Sequence, residues 1–174
     1  TIYTGLTNHY RFSEHWSNSS SLAGSLTDFQ NPFITNYEKR REQTIAIRST
    51  FAYSGKIGNA GIQWISGFEW QNSFAGIDST GNNKGVPDNN LVRDKVKAVQ
   101  QFLFTQAEIS FRDKFILHAG MSLNEFKYTI QRVQPLMEEQ KIDFNLQFIP
   151  RLALLYRLTN TISRHASVAK GYSP

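Results

Sequence analysis

The chain has 174 residues, no cysteine, 19 Lys and Arg residues against 14 Asp and Glu, and an aromatic fraction of 13%. This length suits one domain or a piece of a larger one. No stretch approaches the roughly 18 consecutive apolar residues of a membrane-spanning helix, and the well-spread aromatic residues argue against disorder. Without cysteine there is no disulfide framework and no thiolate zinc site. The net charge of +5 selects no particular partner.

Neither end of the sequence has the features of a natural terminus. There is no initiator Met, and the start lacks the charged and then apolar segments of a secretory signal. Residue 2 already fits a strand, and the sequence stops at 171–174 without a closing segment. We therefore expect a fragment cut at both ends.

The first two predicted strands, 2–12 and 16–29, have the weakest pattern. A short break at 13–15 separates them, and the second is rich in serine. Their apolar positions are Leu6, Tyr10, Phe12, Trp16, Leu22 and Leu26. Even with few apolar residues, this spacing places them on one face of each strand, because side chains alternate with period two.

The next three predicted strands, 44–54, 62–74 and 99–111, alternate more clearly between apolar and polar residues. In the third, Phe102 and Phe104 interrupt the polar side. The apolar sides consist of Ile45, Ile47, Phe51 and Tyr53, then Ile62, Trp64, Phe68, Trp70 and Phe74, then Leu103, Ala107, Ile109 and Phe111. One face of each strand is apolar, and the other carries a mixture of residues suited to contact with water.

The last three predicted strands are 115–123, 144–158 and 162–172. The clearest of all is 144–158, where one apolar face is predicted over the full length and Pro150 is the only interruption. Its apolar positions are Phe144, Leu146, Phe148, Leu152, Leu154, Tyr156 and Leu158.

The connections alternate between short and long. Short breaks fall at 13–15, 54–61, 112–114 and 159–161, and long polar stretches at 30–43, 78–97 and 131–143. Such a meander, with aromatic residues near the strand ends, is typical of outer-membrane barrels, whose strands need about 9–11 residues in the hydrocarbon. We predict an all-β, antiparallel up-and-down meander of about eight strands of roughly 10–16 residues, forming part of a transmembrane β-barrel. Open strand edges are too costly in lipid, so the strands either close as eight or join a larger ring.

The sequence from Phe148 to Pro174 resembles the TonB-dependent outer-membrane receptors. In that family a strand that begins near a Pro-Arg pair ends in a short Leu-Thr-Asn turn, as at 158–160 here. The next strand carries Ala-Ser and then Lys-Gly-Tyr-Ser-Pro, as at 166–167 and 170–174. The segment 26–33, followed by Arg48 in a strand of its own, is similar to the ferric-siderophore branch.

The resemblance implies that residues 1–174 are an internal part of the barrel domain, without the plug. It implies a barrel of about 22 strands with a plugged lumen. The function it implies is import of a ferric chelate (siderophore) into the periplasm of a Gram-negative bacterium. TonB would act through the missing plug region, and outer-membrane lipid and lipopolysaccharide would surround the barrel.

Two groups of residues are candidates for contacts. Basic residues in the long connections, expected to be extracellular loops, would meet the anionic chelate, because the Arg guanidinium pairs well with oxygen ligands. We assign this role to Arg40, Arg41, Arg93 and Lys95. Inward-facing polar residues would line the lumen and touch the plug, namely Arg48, Gln63, Glu69, Gln106, Glu108 and Arg151.

No pattern in the sequence indicates catalysis or a metal. None of His9, His15, His118 and His165 has ligand spacing with a second ligand, and the segment 78–83 lacks the residues of a calcium loop. We predict no enzyme, no cofactor and no metal site. Nucleic acid is not an expected partner either, because the aromatic residues lie on the opposite face from the basic ones.

Two other functions remain open at this point. One is a self-contained eight-stranded surface barrel with a structural or adhesive role, and the other is a soluble ligand-binding barrel with its apolar face inside. The soluble barrel can be distinguished from the two membrane proteins by finding which face of the sheet is in contact with water. We also expect the isolated chain to pair with other copies or aggregate, because two long strand edges would be left unpaired.

Overall fold

The computed structural model describes residues 1–112, 114–159 and 161–171 as one antiparallel sheet, with the strands adjacent in chain order. This confirms the predicted meander. Within the described residues no ladder joins the last strand to the first, so the sheet is open. The strands are β1 (Ile2–Arg11), β2 (Trp16–Pro32), β3 (Asn36–Ile57), β4 (Ala60–Asn83), β5 (Val86–Phe111), β6 (Phe115–Gln134), β7 (Gln140–Arg157) and β8 (Ser163–Ala169).

Some predictions fall on positions outside the described residues. These are 113 and 160 in two of the predicted short turns, and 172–174 at the end of the quoted motif. The described ranges contain no helix that is long and apolar enough to cross a membrane.

The sheet is a single layer with no covered face. Among the described residues, no apolar side chain is buried. Leu103, in the middle of central strand β5, is 58% exposed. A stable domain buries its apolar faces against another layer, so the apolar face of this sheet needs a cover from outside the chain.

The two faces differ in chemistry along the whole sheet. Directly opposite residues of antiparallel strands share a face, so the ladders assign each position. Ile47 lies opposite Leu22 and Trp70, and these define the apolar face. Arg48 lies opposite Ser21 and Glu69, and these define the polar face. The predicted phase of 99–111 is correct, with Leu103 opposite Phe68 and Leu123.

Aromatic side chains meet at the end of the apolar face next to the short turns. Trp16 contacts Tyr53 and Trp64, with ring centroids 4.9 and 5.8 Å apart, and Phe115 and Tyr156 are 4.5 Å apart. Trp64 donates its indole N–H to the Thr105 hydroxyl at 2.9 Å. These large rings are therefore held in one row at this end of the sheet.

The prediction of long loops at 30–43, 78–97 and 131–143 is wrong. The strands continue through these stretches, and the actual turns span 33–35, 84–85 and 135–139. As a result β5 has 26 residues, far more than predicted. Polar residues extend a ladder readily once the inner register is set, because the backbone hydrogen bonds do not depend on the side chain. The two ends of the sheet differ in how far the strands extend.

The predicted unbroken apolar face of 144–158 is also wrong at its start. Phe148 lies opposite Leu123 on the apolar face, but Phe144 lies opposite Phe126 on the polar face. Two residues of β7, Asn145 and Leu146, oppose the single Glu125 at this bulge. An extra residue changes the face of everything beyond it, because the side-chain period is two.

Candidate functional site

The six residues predicted to face inward all lie on the polar face. They come from four strands and are Arg48 on β3, Gln63 and Glu69 on β4, Gln106 and Glu108 on β5, and Arg151 on β7. Their side chains share this face because the ladders place them opposite one another or opposite other polar-face residues. Whether this face meets a plug stays a prediction.

Four of these residues line a shallow groove of about 250 Å³ together with His118. Nε2 of His118 lies 3.2 Å from Oε2 of Glu108. Gln63 is opposite Glu108 on the other neighbouring strand, β4. Arg151 is opposite Gly120, which has no side chain to cover it. The groove therefore presents hydrogen-bonding groups to whatever lies against the polar face.

Arg48 and Glu69 form a second pair on this face, with 3.6 Å between the guanidinium and the carboxylate. The guanidinium also lies over the ring of Phe104, 5.7 Å from its centroid. Phe104, which interrupts the polar pattern of its strand, therefore packs under a cation.

Three rings form an aromatic cluster on the polar face nearer the extended strand ends. The centroids of Phe126 and Tyr128 are 4.5 Å apart, and those of Phe126 and Phe144 are 5.8 Å apart. Beyond the cluster, Arg132 donates two hydrogen bonds to Asp94, at 2.8 and 3.0 Å. The bonds from Arg132 lower the pKa of the Asp94 carboxyl. This region combines half-buried aromatic rings with a guanidinium that is held in place by a carboxylate.

The four residues predicted to bind a ligand from loops lie instead within β3 and β5. Arg40 is on the polar face, where its Nε lies 3.0 Å from the Glu42 carboxylate as an ion pair and its guanidinium lies over Phe29, 5.2 Å from the ring centroid. Arg41, Arg93 and Lys95 are on the apolar face, beyond its apolar residues. Ligand binding by these four stays a prediction, but the structure places Arg40 on the opposite face from the other three.

Sequence reasoning missed the aromatic cluster. Continuing the alternation of 115–123 through the polar stretch would have placed Phe126 and Tyr128 on the polar face. Nothing in the sequence around Phe144 indicates the bulge that moves this ring beside them. Over the described ranges, no group of three or more His, Cys, Asp or Glu side chains could hold a metal ion.

Comparison with known proteins gives one family match. The model of the family described as "TonB dependent receptor-like, beta-barrel" matches residues 1–174. No curated protein matches the chain.

Solved structures with the same fold include one transporter and two receptors. The unliganded ferric citrate transporter FecA matches with a TM-score of 0.80 at 11% identity, over 95% of this chain and 26% of that one. The alcaligin receptor FauA from Bordetella pertussis matches with a TM-score of 0.71 at 14% identity, over 95% of this chain and 27% of that one. The ferric yersiniabactin uptake receptor FyuA from Yersinia pestis matches with a TM-score of 0.68 at 16% identity, over 99% of this chain and 28% of that one. The chain thus spans about a quarter of each of these proteins.

Proposed function

The chain belongs to the TonB-dependent receptor family, as part of its outer-membrane β-barrel domain, and from this we propose that it helps to import a ferric chelate into the periplasm. One observation carries the proposal, namely that the sheet has two different faces and buries no apolar side chain among its described residues. A single layer of this kind is stable when lipid covers one face and water or another part of the protein covers the other.

The apolar face would be the lipid-facing wall. Along β4, ten residue steps separate Trp64 from Phe74, which is about 33 Å of strand. With the usual barrel tilt of about 35–45°, this corresponds to about 25 Å across the bilayer, the height of the apolar band of such barrels. The aromatic row of Trp16, Tyr53 and Trp64 would mark one membrane interface.

The polar face would line the barrel lumen. The groove around Glu108 and Arg151 would contact the plug, which we place outside this chain, and TonB would act on that plug. We propose that Arg40, Arg132 and the aromatic cluster contact the chelate, because a guanidinium pairs with its anionic oxygens and rings pack on its organic parts. We propose no catalytic step and no resident cofactor.

Spin labels at Leu154 and Arg151 test this proposal directly. Both residues lie on β7 and face opposite ways, since Leu154 is opposite Leu117 and Arg151 is opposite Gly120. In detergent micelles, we expect a label at Leu154 to be accessible to oxygen and a label at Arg151 to a water-soluble nickel complex. The two labels share one strand, so each serves as the control for the other.

A label at Leu154 that is shielded from both reagents would contradict the proposal. The apolar face would then be a protein core, and the chain would form a soluble barrel. Reversed accessibility of the two labels would contradict it as well.

A further inference from the structure

Two adjoining grooves on the polar face form one depression, which we call the polar-face trough. The first groove has a volume of about 360 Å³ and extends from β3 to β6, and the second has about 230 Å³ and extends from β5 to β7. Gln100 and the ring of Phe126 line both grooves, so the two are continuous. A depression of this size suits a small organic molecule.

The walls of the trough combine aromatic rings with uncharged polar side chains. The rings are those of the aromatic cluster and of Phe102. Ala75 and Ala98 lie on the strands between those of Glu42 and Tyr128, and their small side chains leave the first groove open. Four side-chain amides line the trough along its length, namely Gln71, Gln100, Asn124 and Gln147.

Two of these amides have no partner within the described part of the protein. The Oδ1 atom of Asn124 is buried without a hydrogen bond, and no hydrogen bond holds the side chain of Gln100. Gln71, in contrast, donates to the Ser73 hydroxyl at 3.3 Å. An amide that borders a groove and has no partner can turn its oxygen or its N–H toward a ligand. A ligand that carries amide groups of its own supplies both kinds of partner.

None of the residues that line the trough is a cation. Its two carboxylates, Glu42 and Glu125, are both held in ion pairs. The polar-face guanidiniums around it are also paired, as Arg40–Glu42, Arg48–Glu69 and Arg132–Asp94, while Arg151 lines the separate groove at Glu108. An anion in the trough would therefore lose its hydration without meeting a free positive charge.

We propose that the polar-face trough binds a ferric chelate that has no net charge and carries amide groups, the class represented by a ferric tris-hydroxamate on a peptide-like backbone. The inference rests on the proposed function and names its substrate class. Three hydroxamate anions balance the charge of Fe³⁺, whereas three catecholates leave three negative charges. The rings would pack on the carbon skeleton, and the amides of Gln100 and Asn124 would bond to its amides. The paired guanidiniums keep N–H groups for the metal-bound oxygens.

The test measures the affinity of the protein, purified from outer membranes in mild detergent, for two ferric chelates by titration calorimetry. Both chelates share one tripodal amide backbone, which carries three hydroxamates in the first and three catecholates in the second. They are therefore similar in size and differ in charge. We expect the hydroxamate chelate to bind at least about tenfold more tightly than the catecholate chelate.

Asn124→Leu tests the unpartnered amide in the trough. The matched control is Asn72→Leu, because the Oδ1 atom of Asn72 is also buried without a partner but this residue lies opposite Ile45 on the apolar face. Neither substitution breaks a hydrogen bond of the described protein, so a change in affinity reports on the ligand. We expect Asn124→Leu to bind the hydroxamate chelate about tenfold more weakly, and Asn72→Leu to bind it like wild type.

Glu42→Gln tests the charge balance of the trough. It frees the guanidinium of Arg40, so we expect the preference for the hydroxamate chelate to fall about tenfold as the catecholate chelate gains a charged partner. Glu139→Gln is the matched control, since it also breaks an ion pair, with Lys141 at 3.2 Å, but does not line the trough. The preference of this control should equal that of wild type.

Equal or tighter binding of the catecholate chelate by wild type would overturn the proposal and leave chelate import standing. An affinity of Asn124→Leu equal to that of Asn72→Leu, or an unchanged preference in Glu42→Gln, would overturn it as well. The proposal also fails if neither chelate binds. A label at Leu154 that is shielded from both reagents would then show that the proposed function fails with it, whereas a label accessible to oxygen would leave the membrane barrel standing.

Discussion

Gly67 shows how a single position controls the packing of the polar face. It lies in β4 beneath the ring of Phe104, whose other neighbour is the guanidinium of Arg48. A Cβ at Gly67 would come 2.9 Å from the Phe104 ring and closer still to the carbonyl oxygen of Ser49. The oxygen belongs to the neighbouring strand and cannot yield without a backbone shift. Glycine is therefore required here by close approach.

We predict that Gly67→Ala destabilises the folded protein by about 1–3 kcal/mol, because the added methyl group forces the ring and the β3 backbone apart. Urea unfolding in detergent micelles, followed by tryptophan fluorescence, measures the change. Gly76→Ala is the matched control, since it lies on the same strand with open space above it. Equal stabilities of the two variants would contradict the close packing at Gly67.

At the scale of the element, the bulge in β7 decides which side chains reach the aromatic cluster. On the C-terminal side of the bulge, even-numbered residues such as Phe148 are on the apolar face. On its N-terminal side, the even-numbered Phe144 is on the polar face. The bulge thus adds a ring to Phe126 and Tyr128 that strict alternation would have placed on the apolar face. One extra residue changes the composition of both faces.

We predict opposite environments for spin labels at Phe144 and Phe148. The label at Phe144 should be accessible to the water-soluble nickel complex, and the label at Phe148 to oxygen. A continuous strand without a bulge would give both labels the same accessibility, because they are an even number of residues apart. Oxygen accessibility at both sites would therefore show that the bulge is absent in detergent.

At the scale of the whole molecule, the open sheet leaves β1 and β8 at its edges. The free N–H and C=O groups of an edge strand form hydrogen bonds with any strand that approaches. In the family's barrels such edges are occupied by further strands, because an unpaired backbone group in lipid costs several kcal/mol. The chain by itself offers two edges of this kind within its described residues.

We predict that the isolated chain forms concentration-dependent oligomers in detergent, measured by sedimentation. Thr7→Lys in β1 with Ser167→Lys in β8 places charges on the polar side of both edges and should raise the monomer fraction. Gln71→Lys in the central strand β4 is the control for the added charge. If the edge variant associates as strongly as the control, edge pairing is not the cause of association.

Sequence alone determined the strand order, the two faces of the sheet and the common face of Arg48, Gln63, Glu69, Gln106, Glu108 and Arg151. These depend on side-chain alternation and on neighbours in the chain, which are local properties. The short breaks at 13–15 and 54–61 also located two of the tight turns. The same local reasoning failed at the long polar stretches, because polarity indicates solvent and does not show whether a backbone is paired.

Tertiary structure alone decided the extent of the strands, which places Arg40 and Arg41 within β3, and the face of Phe144. Each depends on register between strands distant in sequence, and a shift of one residue moves a side chain to the opposite face. Only that register places Gly76 between two cations and Phe144 beside Phe126 and Tyr128. Alternation specifies that a strand has two faces, whereas pairing with its neighbours specifies which residues meet on each.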